Sequence, residues 1–387
     1  MRSLQYREIV RALASGVCLS SMLAMTGCGG SGSSSGSGSG PIPSGHILIS
    51  SHGNTPVLGE YTINASGSLT LTGGVLTAAP FITTVSKTTH SKKYVYVGSR
   101  DDAKIAQYAV SPSGRIAALS PAYVTATGPV YPPANDSMAV DATDNVLIYA
   151  RSSADSEGKS FLSTFKIASD GSLHEAQVIS GKTVFAIAAS KSGNNVYTVT
   201  KASSGTNITH YTVDTSTGNL TRVSDVLVRG LSSPSDIQID PTDQYLYLIE
   251  TGTQFPAEGG TPTYSGSVAA FRLSGDGTPT PIGSPLALVG SAPSFGLAEA
   301  GGRLYISDFN KNLVFLLGVS GGLHTLKSYS VAPNPGQMTL DSTGAFLYVA
   351  NNLSGQISEF KIASDGSLTE AGTIRTVQFP SGISLLP

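Results

Sequence analysis

The chain has 387 residues and carries 23 basic against 25 acidic side chains. Only 12% of its residues are charged, so no basic surface for nucleic acid is written in it. Its 44 glycines and 21 prolines suit many short strands joined by tight turns. Two cysteines and no tryptophan exclude a disulfide-stapled scaffold and the Trp-Asp repeat signature.

Arg2, Arg7 and Arg11 precede an apolar stretch, Ala12 to Met25, that is too short to span a bilayer. This pattern predicts a secretory signal over residues 1–27. Met25-Thr26-Gly27-Cys28 resembles the bacterial lipobox, which implies that Cys28 is lipidated and that the mature chain is tied to the membrane. The residue after Cys28 is not aspartate, which in bacterial lipoproteins implies the outer membrane, facing either the periplasm or the cell exterior. Residues 28–45 read as the lipidated cysteine and a flexible Gly/Ser linker with a mean span of roughly 20–25 Å. Cys18 falls in the removed segment, so no thiol remains for catalysis. The mature chain would keep 20 basic and 24 acidic side chains, since 23 − 3 and 25 − 1 remain.

From residue 46 onward one phrase recurs. Phe165-Lys-Ile-Ala-Ser-Asp-Gly-Ser-Leu173 returns letter for letter at 360–368, and an aromatic six residues before a turn glycine marks further copies. These are Tyr61 and Gly67, Tyr108 and Gly114, Phe271 and Gly277, and Phe315 and Gly321, with Tyr211 to Gly218 one residue longer. Seven units over residues 46–387 average about 49 residues each, the length of propeller blades rather than of most solenoid repeats. Upstream of each aromatic lies a nearly unbroken apolar run, as in Tyr94-Val-Tyr-Val97, Val146-Leu-Ile-Tyr149, Tyr245-Leu-Tyr-Leu-Ile249 and Leu347-Tyr-Val-Ala350. Loss of alternation means both faces are covered, as for a blade between two neighbours. The fold class predicted is therefore all-β, a seven-bladed propeller over residues 46–387.

A first strand opens each unit, running from Phe81, Ser137, Phe185, Ile237, Phe295 and Met338, and Pro380-Ser-Gly-Ile-Ser-Leu-Leu386 supplies a seventh. The unit beginning at His46 lacks a first strand, so the C-terminal segment is predicted to complete it as the innermost strand and close the ring.

Leu347-Tyr-Val-Ala-Asn351, preceded by Asp341-Ser-Thr-Gly344, resembles the seven-bladed lactonase-family propellers and the related YVTN-repeat proteins. That phrase is scaffold, so the resemblance implies fold more than chemistry. Enzymes of that family resemble one another in placing arginine, histidine and glutamate at the channel mouth, where first strands begin and second strands end. The first-strand starts here carry neither histidine nor arginine.

The turns between first and second strands, and between third and fourth, are short and alike. The variable segments 122–133, 151–160 and 251–266 fall on the opposite face, which marks it as the binding face. Near that mouth Glu250 is the candidate base, with Arg100 or Arg151 placed to stabilise the oxyanion of an opened lactone. Asp136, Lys201, Asp236, Asp308, Phe255 and Tyr264 are the candidate ligand contacts. The six histidines are scattered without ligand spacing, no metal site or cofactor cradle is expected, and 6-phosphogluconolactone, a cytoplasmic metabolite, is a poor substrate for an exported chain. Three readings stay open: binding of a small molecule, glycan or protein partner, hydrolysis of a periplasmic or extracellular lactone, and a spacer or surface-packing role.

Overall fold

A computed structural model describes residues 45–387 except 53–56, 73–75, 78–82, 100–102, 129–132, 154–158, 255–261, 300–301, 321 and 377–378. The signal, Cys28, the linker up to residue 44, and Arg100 and Phe255 lie outside the described residues. Ile42–Pro387 is one compact unit.

Among the described residues every regular element is a strand, arranged in seven separate antiparallel sheets. Four strands in chain order build the first blade: Thr83–Thr88, Tyr94–Ser99, Lys104–Val110 and Ile116–Thr125. Blades two to six begin with Pro133–Val140, Val184–Ala189, Pro234–Ile239, Pro293–Glu299 and Pro335–Leu340. Each of these innermost strands packs against the next, and Phe379–Leu386 packs against Thr83–Thr88, so the ring is closed. In the seventh blade, Phe379–Leu386 pairs antiparallel with His46–His52, from His46 opposite Leu386 to His52 opposite Phe379. The two ends of the compact unit thus share one sheet, as predicted.

The apolar runs are second strands. Leu246 to Ile249 and Leu347 to Ala350 are fully buried because each sheet is covered on both faces. The core is accordingly a set of interlayers: Tyr96 and Ile105 of one blade pack with Leu147, Tyr149 and Phe165 of the next. The repeat aromatics Tyr61, Tyr108, Phe165, Phe271 and Phe360 are buried in such layers. In the fifth blade the register differs from the sequence reading. Phe360 pairs with Leu347, the residue before Tyr348, and the residue that pairs with Leu304 before Tyr305 is Leu317 rather than Phe315.

Polar side chains bind blade to blade. The second-strand hydroxyls of Tyr96, Tyr197, Tyr305 and Tyr348 donate to the carbonyls of Gly171, Gly277, Gly366 and Gly67 in the next blade's outer turn. Those glycines have φ between +82° and +84°, and a Cβ at Gly171 would lie 2.2 Å from the Tyr94 ring, so no other residue fits there. The second blade has Ile148 at the ladder position that Tyr197 and Tyr348 occupy in theirs, and the turn it faces is the longer one ending at Gly218. Buried Glu60, Gln107 and Glu359 and half-buried Gln177 accept the backbone N–H of Ile116, Leu173, Leu69 and Leu220 in turn, at the start of the next blade's outermost strand.

Candidate functional site

The seven innermost strands present their free edges to a central channel of about 460 Å³. All of them run the same way, so their starts meet at the face with the variable connections and their ends at the face with the short turns. Neighbouring short turns hold each other: His90 and Ser91 donate backbone N–H to Asp144, and Lys191 and Ser192 donate to Asp243.

An edge strand facing a channel leaves backbone N–H groups unpaired. Ser137, Asp236 and Gln337 answer this by accepting the N–H of Ile187, Gly296 and Ile383 on the following innermost strand. Asp236 also accepts from its neighbour Ile237 N–H and from Gln238 Nε2. Burial pushes its carboxyl up to about 6, against the pull of those hydrogen bonds and of the Lys87 charge.

The second strands end at the variable face, and there the sequence-predicted residues take equivalent places. Glu250 accepts from the Thr206 hydroxyl and from the backbone N–H of Ser232 (2.7 Å) and Ser233 (3.1 Å). Burial raises its pKa, opposed by these bonds and by the Lys201 charge. It does not border the channel. Asp308 accepts from Ala292, Asn310 and Lys311 N–H. Arg151 donates to Thr127 O at 3.0 Å and lies over the Phe161 ring, and Asp136 stands opposite it in the ladder. All three described side chains fasten the segment arriving from the preceding blade. Lys201 is exposed, and Tyr264 packs edge-on against Phe309 at 5.7 Å. Of the named group, the fold gathers Glu250 with Lys201 and Arg151 with Asp136, in different blades, and leaves Asp236 in the channel.

Sequence reasoning missed the channel's own lining. At the ladder position opposite Tyr96 stands Lys87, where other blades carry Ala139, Ala188, Gln238, Leu297, Thr339 and Ser384. A lysine among small and apolar residues in Thr83-Thr-Val-Ser-Lys-Thr88 was the available signal. Half-buried Lys87 lines the channel. Desolvation, together with the Lys191 charge, pushes its amine down to about 8, against the pull of Asp236.

Residues 195–321 match the family described as lactonase, seven-bladed β-propeller. A putative 6-phosphogluconolactonase from Bacteroides fragilis superposes with a TM-score of 0.72 at 18% identity, covering 91% of this chain and all of that one. The fold is that of the lactonase-like propellers. A periplasmic gluconolactonase from Pseudomonas aeruginosa gives a TM-score of 0.72 at 17% identity over 89% of this chain and 99% of its own. At such identity the lactonase-like likeness is one of architecture. Among curated proteins none matches the chain by sequence.

Proposed function

We propose that this lactonase-like propeller is a lipid-anchored protein of the cell envelope that binds a ligand or partner through the face bearing its variable connections. The observation that carries this reading is the use made of Glu250, Asp308 and Arg151. Glu250 uses both carboxylate oxygens, one of them on the Thr206 hydroxyl, Asp308 its Oδ1 and Arg151 its Nη2 to hold that face, which leaves a braced surface in which Asp308 Oδ2 and Arg151 Nε keep no hydrogen-bond partner among the described residues. The connection after Glu250 continues the blade as a ladder pairing Thr253 with Tyr264 and Gln254 with Thr263. A second reading, hydrolysis of a periplasmic or extracellular lactone, is favoured by the lactonase match over residues 195–321.

The two separate in a pH-stat. The purified full chain, assayed on unphosphorylated sugar and aliphatic lactones with spontaneous opening subtracted, is expected to consume no base above background. Turnover that vanishes in Glu250→Gln would establish the hydrolase and assign the base, and turnover that survives would establish a hydrolase with another base. Anchoring is tested by fractionation: the chain is expected in the membrane fraction, and Cys28→Ser in the soluble one. Equal partitioning of the two would remove the anchor from the proposal.

A further inference from the structure

Among the described residues, the charged side chains lining the channel are Lys87, His90, Lys92, Lys191 and Asp236. With the histidine neutral, three lysines of this lining stand against one aspartate, while the carboxylates of Asp144, Asp243 and Asp341 act on His90, Lys191 and Lys92 from outside it. Low-dielectric walls strengthen the pull that an ammonium group inside the channel exerts on an anion entering beside it.

The ammonium groups of Lys87 and Lys191 make no hydrogen bond or ion pair with the described residues. The acids nearest the cluster are already engaged. Asp236 accepts from Ile237, Gln238 and Gly296. Asp144 is held by the N–H groups of His90 and Ser91, Asp243 by those of Lys191 and Ser192, and Asp341 by Thr343 and Phe346. Each bends the potential of one cation without supplying it a counter-ion contact. An unpaired ammonium inside a protein ring costs stability, and retention of one where other blades place Ala139, Ala188 or Thr339 marks a binding group rather than a packing one.

We propose that the short-turn end of the channel is a binding site for a small polycarboxylate, with Lys87 at its base and Lys191 and Lys92 at its rim. The channel into which this site opens holds about 460 Å³ along its whole length, room for a molecule larger than a single phosphate. The cations stand on separate strands and turns, which suits carboxylates spread over one molecule. Hydroxyls on the wall, Ser86 and Ser384 at 2.8 Å from each other, can turn to donate to it. This site lies at the opposite end of the channel from the variable face and stands independently of what binds there.

The probes are citrate and inorganic phosphate, titrated calorimetrically into the full chain at pH 7 and matched ionic strength, beside Lys87→Met and Lys191→Ala. Citrate is expected to bind, with affinity falling about tenfold or more in Lys87→Met, the loss expected for a charge-assisted contact. The Lys191→Ala variant should weaken binding less. Without ligand, Lys87→Met should melt about 2–4 °C higher than the parent, because an unpaired charge is gone. The melting measurement also shows that a loss of binding is not a loss of fold. Phosphate bound as well as citrate would overturn the polycarboxylate assignment. Citrate affinity unchanged in Lys87→Met, or no heat with either probe, would overturn the site.

Discussion

A carboxyl group such as Asp236 is asked to do two things that conflict. Its oxygens close a free N–H on the neighbouring blade, which favours the ion, while its burial favours the neutral acid. The folded pKa of about 6 lies above the ordinary 3.8, so the folded chain keeps this proton over a range in which the unfolded chain has lost it. Stability from this group is therefore full below about pH 4, declines as pH rises towards 6, and is absent above it, a difference on the order of 3 kcal/mol. Asp236→Asn should abolish that decline. At pH 7 the variant gives up one hydrogen bond, about 1 kcal/mol, and sheds the buried charge, so it should be more stable than the parent by about 1–2 kcal/mol, with the advantage gone at pH 4. Urea unfolding at the two pH values measures this. Parent and variant curves that move in parallel with pH would show that Asp236 does not titrate as described.

At the scale of strands and turns, the devices that repeat were legible and the devices that occur once were not. The glycine of Ser-Asp-Gly-Ser was readable because a positive φ and a ring 2.2 Å from its missing Cβ leave no alternative. The aromatic before it was equally readable in most blades. It misled in the fifth, where the turn bond runs from Gly322 N–H to Val319 O, five residues after Leu317, which takes the ladder place that Phe360 has in the sixth, so the spacing of Phe315 along the chain does not equal place in the sheet. Tyr348 looked like one more apolar residue in Leu-Tyr-Val-Ala. Its role as a donor to Gly67, 281 residues away in sequence, depends on the ring being closed and leaves no trace in local periodicity. Glu250 and Asp308 were correctly placed at second-strand ends, yet what they touch is the backbone of segments arriving from the preceding blade. A charge at a strand end reads the same in sequence whether it meets solvent, substrate or a loop N–H. Lys87 is hidden for the converse reason: the family resemblance directs attention to the starts of the innermost strands, and this lysine stands one residue before the end of its own.

For the whole molecule, stability depends on a ring in which every blade is both covered and covering. Blades one to six each carry their own innermost strand, so their sheets form from local hairpins. The seventh joins residues more than 330 positions apart, as in the bond from Ser381 Oγ to Ser50 O, and can form only after the others have bent the chain into a circle. Phe379–Leu386 buries Ile383 and Leu386 against two blades, and its Ser384 hydroxyl meets Ser86 of the first. Removing residues 379–387 would strip the ladder partner from His46–His52, leave an apolar edge holding Ile47, Leu48 and Ile49 open to pairing with another chain, and unseat the first and sixth blades together. Because each blade's core is an interlayer shared with its neighbours, the damage cannot stay local. The shortened chain is expected to lose the cooperative unfolding transition of the parent and to elute as aggregate in size-exclusion chromatography. A shortened chain that stays monomeric and unfolds in one sharp transition would mean that the sixth and first blades close the ring on their own, and that the strand shared by the two ends is an ornament of this fold.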